Sequence, residues 1–264
     1  MLLKQILKKG RLEVQIVKNP FVFIGLIAFT AALLLSVVSE VTKQQIKDNK
    51  DLDRMKNILT ARFLEDYEEY ETKLLDEKEI TTLYDKEIVQ ELYDISTYEQ
   101  VKDPSLVFSD LVWKENKKDG SLYYYFNADR DKQYLPFFQI KSGGYIIPIS
   151  GKGLWSTIKG FIYIKPDNEK GKYIVKGISF YEHAETPGLG GEIDKVEVKK
   201  RYLNKKIDLN SKKTPKMEKI VKDKDYELGY ISGATITSDG LDDFIESHLL
   251  ERYRPILEKL GEGK

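Results

Sequence analysis

Tyr145-Ile146-Ile147-Pro148-Ile149-Ser150-Gly151-Lys152-Gly153-Leu154-Trp155-Ser156-Thr157-Ile158-Lys159-Gly160-Phe161-Ile162-Tyr163-Ile164 carries two β-branched and aromatic runs about a glycine-bearing connection. The runs 145–149 and 158–164 have strand length, and the second alternates as a half-exposed strand does. The connection reads as a hairpin with core aromatics, or as one wall of a site for a planar ligand. Working outward, similar runs stand at 106–113, 122–126, 137–140 and 173–181. Asp119-Gly120, Gly143-Gly144 and Asp167-Asn168 mark turns between several of them. The pattern predicts an antiparallel sheet, with Tyr123, Tyr124 and Tyr125 on its surface. Beyond the sheet, 193–202 reads as a short helix and 216–221 as a strand. A last helix runs from Ser238 to about 260, with Leu241, Phe244, Ile245 and Leu249 on one face. Thr237 or Ser238 is its expected cap, and Asp239 and Asp242 complement its dipole. Strands followed by helices make the class α+β.

Upstream, residues 40–100 read as helical and polar. Val41, Ile46, Leu52, Met55, Ile58, Leu59, Phe63 and Leu64 give them one apolar stripe. This predicts a stalk or packing region over 40–105, ahead of an α+β domain over 106–264. The acidic run Glu65-Asp66-Tyr67-Glu68-Glu69-Tyr70-Glu71 lacks the alternating ligands and turn glycine of a calcium loop, so it reads as a solvated helix face.

The 264 residues include 43 Lys+Arg, 43 Asp+Glu, two His and no Cys. The absence of Cys excludes disulfides, thiolate zinc sites, protein-ligated iron–sulfur clusters and thioether-linked haem. Two His do not suit a multi-His metal centre, and a net charge of zero argues against a nucleic-acid binder. No nucleophile–base pair stands at recognisable spacing, so no catalytic residue is assigned and no metal ligand either.

The N-terminal end departs from this average. From Pro20 to Val38 no residue is charged, close to the ~20 apolar residues that cross a bilayer core. Lys4, Lys8, Lys9, Arg11 and Lys18 precede the run, opposed by Glu13, and a mixed set follows it. The bias predicts a cytoplasmic segment 1–18, a transmembrane helix 19–39 and the remainder outside, periplasmic in a bacterial inner membrane. A cleaved signal peptide would have a shorter apolar core and a small-residue cleavage site, and no Ala-x-Ala follows here.

Two further motifs stand out. Ser232-Gly233-Ala234-Thr235-Ile236-Thr237-Ser238 opens the last helix. Small residues admit close approach there, and a helix start offers free N–H groups to a phosphate; a Ser/Thr-rich capping turn is the plainer alternative. Glu185-Thr186-Pro187-Gly188-Leu189-Gly190-Gly191 reads as a tight turn or as a backbone that a ligand approaches. It lacks the third spaced glycine of a dinucleotide fingerprint. Bulk at Gly188 is expected to intrude on a close backbone approach.

In this order, behind an N-terminal anchor, the motifs resemble the FMN-binding domain found in the C subunit of the sodium-translocating NADH:quinone reductases. The resemblance covers the anchor and roughly 145–260. That family carries Gly-Leu-Trp, Glu-Thr-Pro-Gly-Leu-Gly and Ser-Gly-Ala-Thr segments, and here they are Gly153–Trp155, Glu185–Gly190 and Ser232–Thr235. The resemblance implies FMN joined through its phosphate to Thr235, with Ser232, Gly233, Ala234 and Thr237 around the tether. Leu154, Trp155, Glu185, Thr186, Gly188, Leu189 and Gly190 are then the other half of the cofactor site. It implies a flavin transferase that uses FAD and magnesium, and partner subunits of a membrane redox complex in which this chain relays electrons to pump sodium. The usual acidic residue three positions before the motif's Ser is replaced by Gly229. The G subunit of the Rnf complex shares the anchor, flavin domain and threonine motif, and is the alternative within this chemistry. A non-redox, membrane-anchored binding module is the alternative outside it.

Overall fold

The computed structural model describes residues 20–103, 106 and 108–262. The expected cytoplasmic segment 1–18 lies outside them. The chain divides into two compact units, Met1–Asp51 and Leu52–Lys264. The described part of the first is helical throughout, within α1 (Pro20–Arg62). That helix is long and apolar enough to cross a membrane. Its apolar side chains face outward, with Phe21 85% and Leu35 71% exposed. Such exposure in water would be costly, and a lipid environment removes the cost.

The second unit is built on an antiparallel sheet. Its path runs β2 (Leu111–Glu115), β3 (Leu122–Phe126), β4 (Asp129–Ile140), β5 (Tyr145–Lys152), β6 (Thr157–Pro166), β7 (Lys172–Glu182) and β8 (Lys206–Asp208). β1 (Ile88–Asp94) pairs with β4, from Ile88 opposite Ile140 to Asp94 opposite Tyr134. The predicted turns at Asp119-Gly120, Gly143-Gly144 and Asp167-Asn168 join β2–β3, β4–β5 and β6–β7. Two strands, β9 (Lys216–Glu218) and β10 (Glu227–Gly229), form a separate parallel pair.

Three sequence expectations change here. First, helical structure after α1 and the short α2 (Tyr67–Tyr70) ends with α3 (Glu77–Glu87), and 88–94 is a strand. Second, 106–113 is not one strand, because Phe108–Asp110 is a 3-10 turn and β2 begins at Leu111. Third, β6 is not half-exposed. Ile158, Ile162 and Ile164 join one core with Leu241, Phe244, Ile245 and Leu257, while Phe161 and Tyr163 join another with Ile58, Leu59 and Tyr84. Both faces of the sheet are covered, so alternation here separates two cores rather than core from water. Lys159 accommodates its burial by bonding Glu182 at 2.6 Å and lying 3.8 Å from the centre of the Trp113 ring. The end of α1 reaches the sheet at Gly177, where a Cβ would collide with the carbonyl oxygen of Ala61. The acidic run is tied down as well: Glu65 meets Lys176 at 3.0 Å and Glu68 meets Lys200 at 2.5 Å.

α4 (Val196–Lys200) follows a 3-10 turn at Gly190–Asp194. The expected last helix is three pieces: α5 (Thr235–Ser247), a π-helical turn at His248–Arg252 and α6 (Arg254–Glu262).

Candidate functional site

The three motifs converge on one carboxylate. Glu185 lies in the loop after β7 and is 5% exposed. Its Oε1 accepts from the backbone N–H of Trp155 at 3.0 Å and of Ser156 at 3.4 Å. Its Oε2 accepts from the backbone N–H of Leu154 at 3.2 Å and from the Thr237 hydroxyl at 2.6 Å. One side chain therefore joins the β5–β6 connection, its own loop and α5. Burial raises the cost of its charge, but the hydrogen bonds from Thr237 and from the Trp155, Leu154 and Ser156 amides outweigh that and hold its carboxyl below the ordinary range. The stabilisation it gives is present above its unfolded value near 4.5 and is lost as pH falls through its lower folded value.

The glycines around it are needed for space. A Cβ on Gly153 would sit 2.5 Å from Oε1 of Glu185, and one on Gly190 would sit 2.6 Å from Oγ1 of Thr237. Gly188 differs from expectation. A Cβ there meets nothing within 4 Å, and its requirement for glycine comes from a φ of +80° instead. Gly233, at φ +74°, has both reasons, because a Cβ would lie 2.7 Å from Cδ2 of Leu189.

α5 starts three residues earlier than the sequence suggested. Ala234 stands at the cap position, no side chain caps the helix, and Thr235 is its first residue. Thr237 and Ser238 are thus not caps. Thr237 is 1% exposed and spends its hydroxyl on Glu185; Ser238 is fully buried, its Oγ accepting from the Ile231 N–H at 3.4 Å. Thr235 and Ser232 are exposed. The helix start therefore keeps its free N–H groups and partial positive charge beside an exposed hydroxyl.

Apolar side chains stand out around this point: Trp155 is 70% exposed, Ile236 57%, Leu154 46% and Leu189 44%. Trp155 is oriented by its Nε1–H, which donates to Oγ1 of Thr186 at 3.1 Å. His183 also has a structural partner on each ring nitrogen. Its Nδ1 accepts from the Glu185 N–H at 3.2 Å, which leaves Nε2 to donate to Asp194 at 2.9 Å. Ser156 accepts from the Ala184 N–H at 2.6 Å.

Sequence reasoning named Glu185 and Thr237 but missed that they bond each other. It did not single out Ile236 or Ser156, and it quoted Gly153 without its role of leaving room for Glu185. Tyr230 was also missed: its hydroxyl donates to Asp239 and lies 3.3 Å from the Thr235 carbonyl oxygen.

The donor set and shape fit a flavin phosphate ester. An uncapped helix start faces an exposed Thr, small residues surround it, and apolar side chains suited to a ring system stand nearby.

Comparison with known proteins points the same way. A family described as the FMN-binding domain matches residues 153–249, which include all three motifs. The C subunit of the Na(+)-translocating NADH-quinone reductase of Neisseria meningitidis serogroup A is 31% identical over 197 residues, covering 69% of this chain and 74% of that protein. The protein of the same name from Haemophilus ducreyi is 29% identical over 232 residues, covering 83% and 81%. The crystal structure of the corresponding C subunit from Parabacteroides distasonis shares the fold, with a TM-score of 0.58 at 23% identity, over 81% of this chain and 96% of that one.

Proposed function

The chain belongs to the C-subunit family of the Na(+)-translocating NADH-quinone reductases and is a flavoprotein subunit of that complex, and we propose that its FMN is bound covalently, through the phosphate, to Thr235. The observation that carries the reading is the uncapped start of α5, with Thr235 exposed at its first position. Bound FMN supplies the redox chemistry, which side chains without Cys or metal do not. The amides at the start of α5 hold the phosphate. Leu154, Trp155, Leu189 and Ile236 cover the ring system and exclude water from it. Glu185 acts one step back as a positioning residue: it fixes the Leu154–Trp155 backbone and α5 to the same point. Gly188 lets the loop turn, and Gly190 leaves room for Thr237.

A Thr hydroxyl has no useful acidity, so a separate flavin transferase activates it during maturation. That requires an accessible loop, and exposed Ser232 and Gly233 next to an exposed Thr235 give one. The chain co-expressed with such a transferase runs as a fluorescent band on a denaturing gel under ultraviolet light. A colourless band under those conditions overturns the covalent assignment.

The apolar stretch of α1 fits a single-pass anchor in a membrane complex. The chain relays electrons between other subunits rather than acting alone. The basic residues before the apolar run support residues 1–18 in the cytoplasm and the flavin domain on the periplasmic side. A reporter active only in the cytoplasm, fused after Lys264, is silent under this topology. Strong activity there reverses it.

A further inference from the structure

The imidazole of His183 holds the flavin loop at both ends. It follows β7 directly, and its side chain is 11% exposed. Nδ1 accepts from the Glu185 N–H at 3.2 Å, where the loop begins. Nε2 donates to Asp194 at 2.9 Å, where the 3-10 turn that closes the loop ends. A backbone N–H can only donate, so Nδ1 must be without a proton. The two bonds coexist only for the neutral ring protonated on Nε2.

What this bond holds in place is the hub of the site. The Glu185 carboxylate collects the amides of Leu154, Trp155 and Ser156 and the Thr237 hydroxyl. Thr186, next in the chain, carries the acceptor for the Trp155 indole N–H. A displaced Glu185 backbone therefore disturbs the side chains that wall the flavin.

Protonation sets the two ends of the clasp against each other. A proton taken from solvent by Nδ1 turns it into a donor facing the donor N–H of Glu185, and that bond breaks. The bond to Asp194 becomes charge-assisted and strengthens. Imidazoles take up this proton between about pH 8 and 5. Neighbouring charges are mostly engaged elsewhere. Glu182 at the end of β7 bonds Lys159 at 2.6 Å, and Glu192 bonds Lys195 at 2.6 Å. Lys199 of α4, whose hold on its proton is weakened by burial, interacts with Asp194 and competes with the imidazolium for it.

We propose that His183 is a positioning residue for the flavin: as the neutral imidazole it clasps both ends of loop 185–194, and on taking a proton it releases Glu185 and loosens the wall made by Leu154 and Trp155. The flavin part rests on the FMN reading above; the clasp itself does not.

Proton–nitrogen correlation NMR on the full chain in detergent, without flavin, tests the clasp. The chain has two Trp and so two indole N–H peaks, and Trp113→Phe identifies that of Trp155. On acidification through the imidazole range this peak moves reversibly, losing the downfield position of a bonded N–H. In His183→Asn it keeps its neutral-ring position throughout, because an Asn side-chain oxygen accepts from the amide two residues on and does not titrate. In His183→Phe, which has no acceptor, it holds the acid position throughout. Asp242 on α5, pushed up to about 7 by burial, titrates in the same range and is present in both variants. A shift that persists in His183→Asn, no shift in the unaltered chain, or a folded His183→Phe at the neutral-ring position overturns the proposal. The first two decide the matter even if His183→Phe fails to fold. In flavinylated chain the visible spectrum follows the same transition, and His183→Asn abolishes that change while the gel band stays. A missing gel band counts against the tether and leaves the clasp to the NMR result. A normal band with a spectrum indifferent to pH removes His183 from flavin positioning.

Discussion

Thr235→Ala abolishes covalent flavin, taking gel fluorescence to background, while Thr237→Ala leaves the band in place. The two residues offer the same hydroxyl chemistry and differ in access. Thr235 is exposed at the first position of α5, whereas Thr237 is 1% exposed and donates to Glu185 at 2.6 Å. A transferase reaches the first and not the second. Alanine at position 235 does not melt the helix. No side-chain cap is lost, and α5 is held by Leu241, Phe244 and Ile245 in the core. Thr235→Ser keeps a hydroxyl in the same place, primary where threonine's is secondary, and retains part of the label. Thr237→Ala lowers stability by about 1–2 kcal/mol through the lost bond to Glu185, read as a shift in the thermal midpoint. Loss of the label in Thr237→Ala with retention in Thr235→Ala reverses the assignment.

Glu185→Ala has the second large effect. The change leaves the amides of Leu154, Trp155 and Ser156 and the buried Thr237 hydroxyl without their acceptor. Unsatisfied buried donors cost about 1–3 kcal/mol each, with partial relief as the loop relaxes, so a loss of about 3 kcal/mol is expected. A purely structural role predicts only that loss. A positioning role adds a changed visible flavin spectrum, because the Leu154–Trp155 backbone is no longer fixed against α5. Glu185→Gln restores one acceptor oxygen but turns an NH₂ toward other donors, so it recovers part of the stability and part of the spectrum. The unaltered protein also loses this contribution in acid, once pH falls below about 4.5 and through the depressed folded value of Glu185, and Glu185→Gln shows no such component. A spectrum identical to that of the unaltered protein in Glu185→Ala removes the positioning role.

Much of the sheet was legible from local pattern. The strands at 145–149, 158–164 and 173–181 carry β-branched and aromatic residues between turn dipeptides, and both signals act within a few residues. The apolar helix was legible for a similar reason: an uncharged run near bilayer length needs no tertiary information. β1 was not legible. Ile88-Val89-Gln90-Glu91-Leu92-Tyr93-Asp94 has no clean alternation and follows a helical stretch, and its strand state is set by pairing with β4, forty or more residues on. The second core was hidden too, since nothing within β6 tells whether its outer face meets water or Ile58 and Leu59.

The site follows the same division. Its small residues and its exposed threonine stand in the sequence as motifs. The role of Glu185 does not, because three of its partners are backbone amides about thirty residues away and the fourth is a hydroxyl fifty-two residues on. The start of α5 was misplaced because Thr237 and Ser238 are good capping residues by type, and burial diverts both to other partners.

Mass spectrometry of the tryptic peptide from Asp225 to Arg252, taken from chain co-expressed with a flavin transferase, addresses the tether itself. The peptide contains Ser232, Thr235, Thr237 and Ser238 together, so fragmentation assigns the modified residue among real competitors. The expected result is the mass of FMN less one water, localised to Thr235, with Ser232 unmodified although it too is exposed. FMN mass on Ser232 or Thr237, or none on this peptide when the intact chain is flavinylated, contradicts attachment at the start of α5.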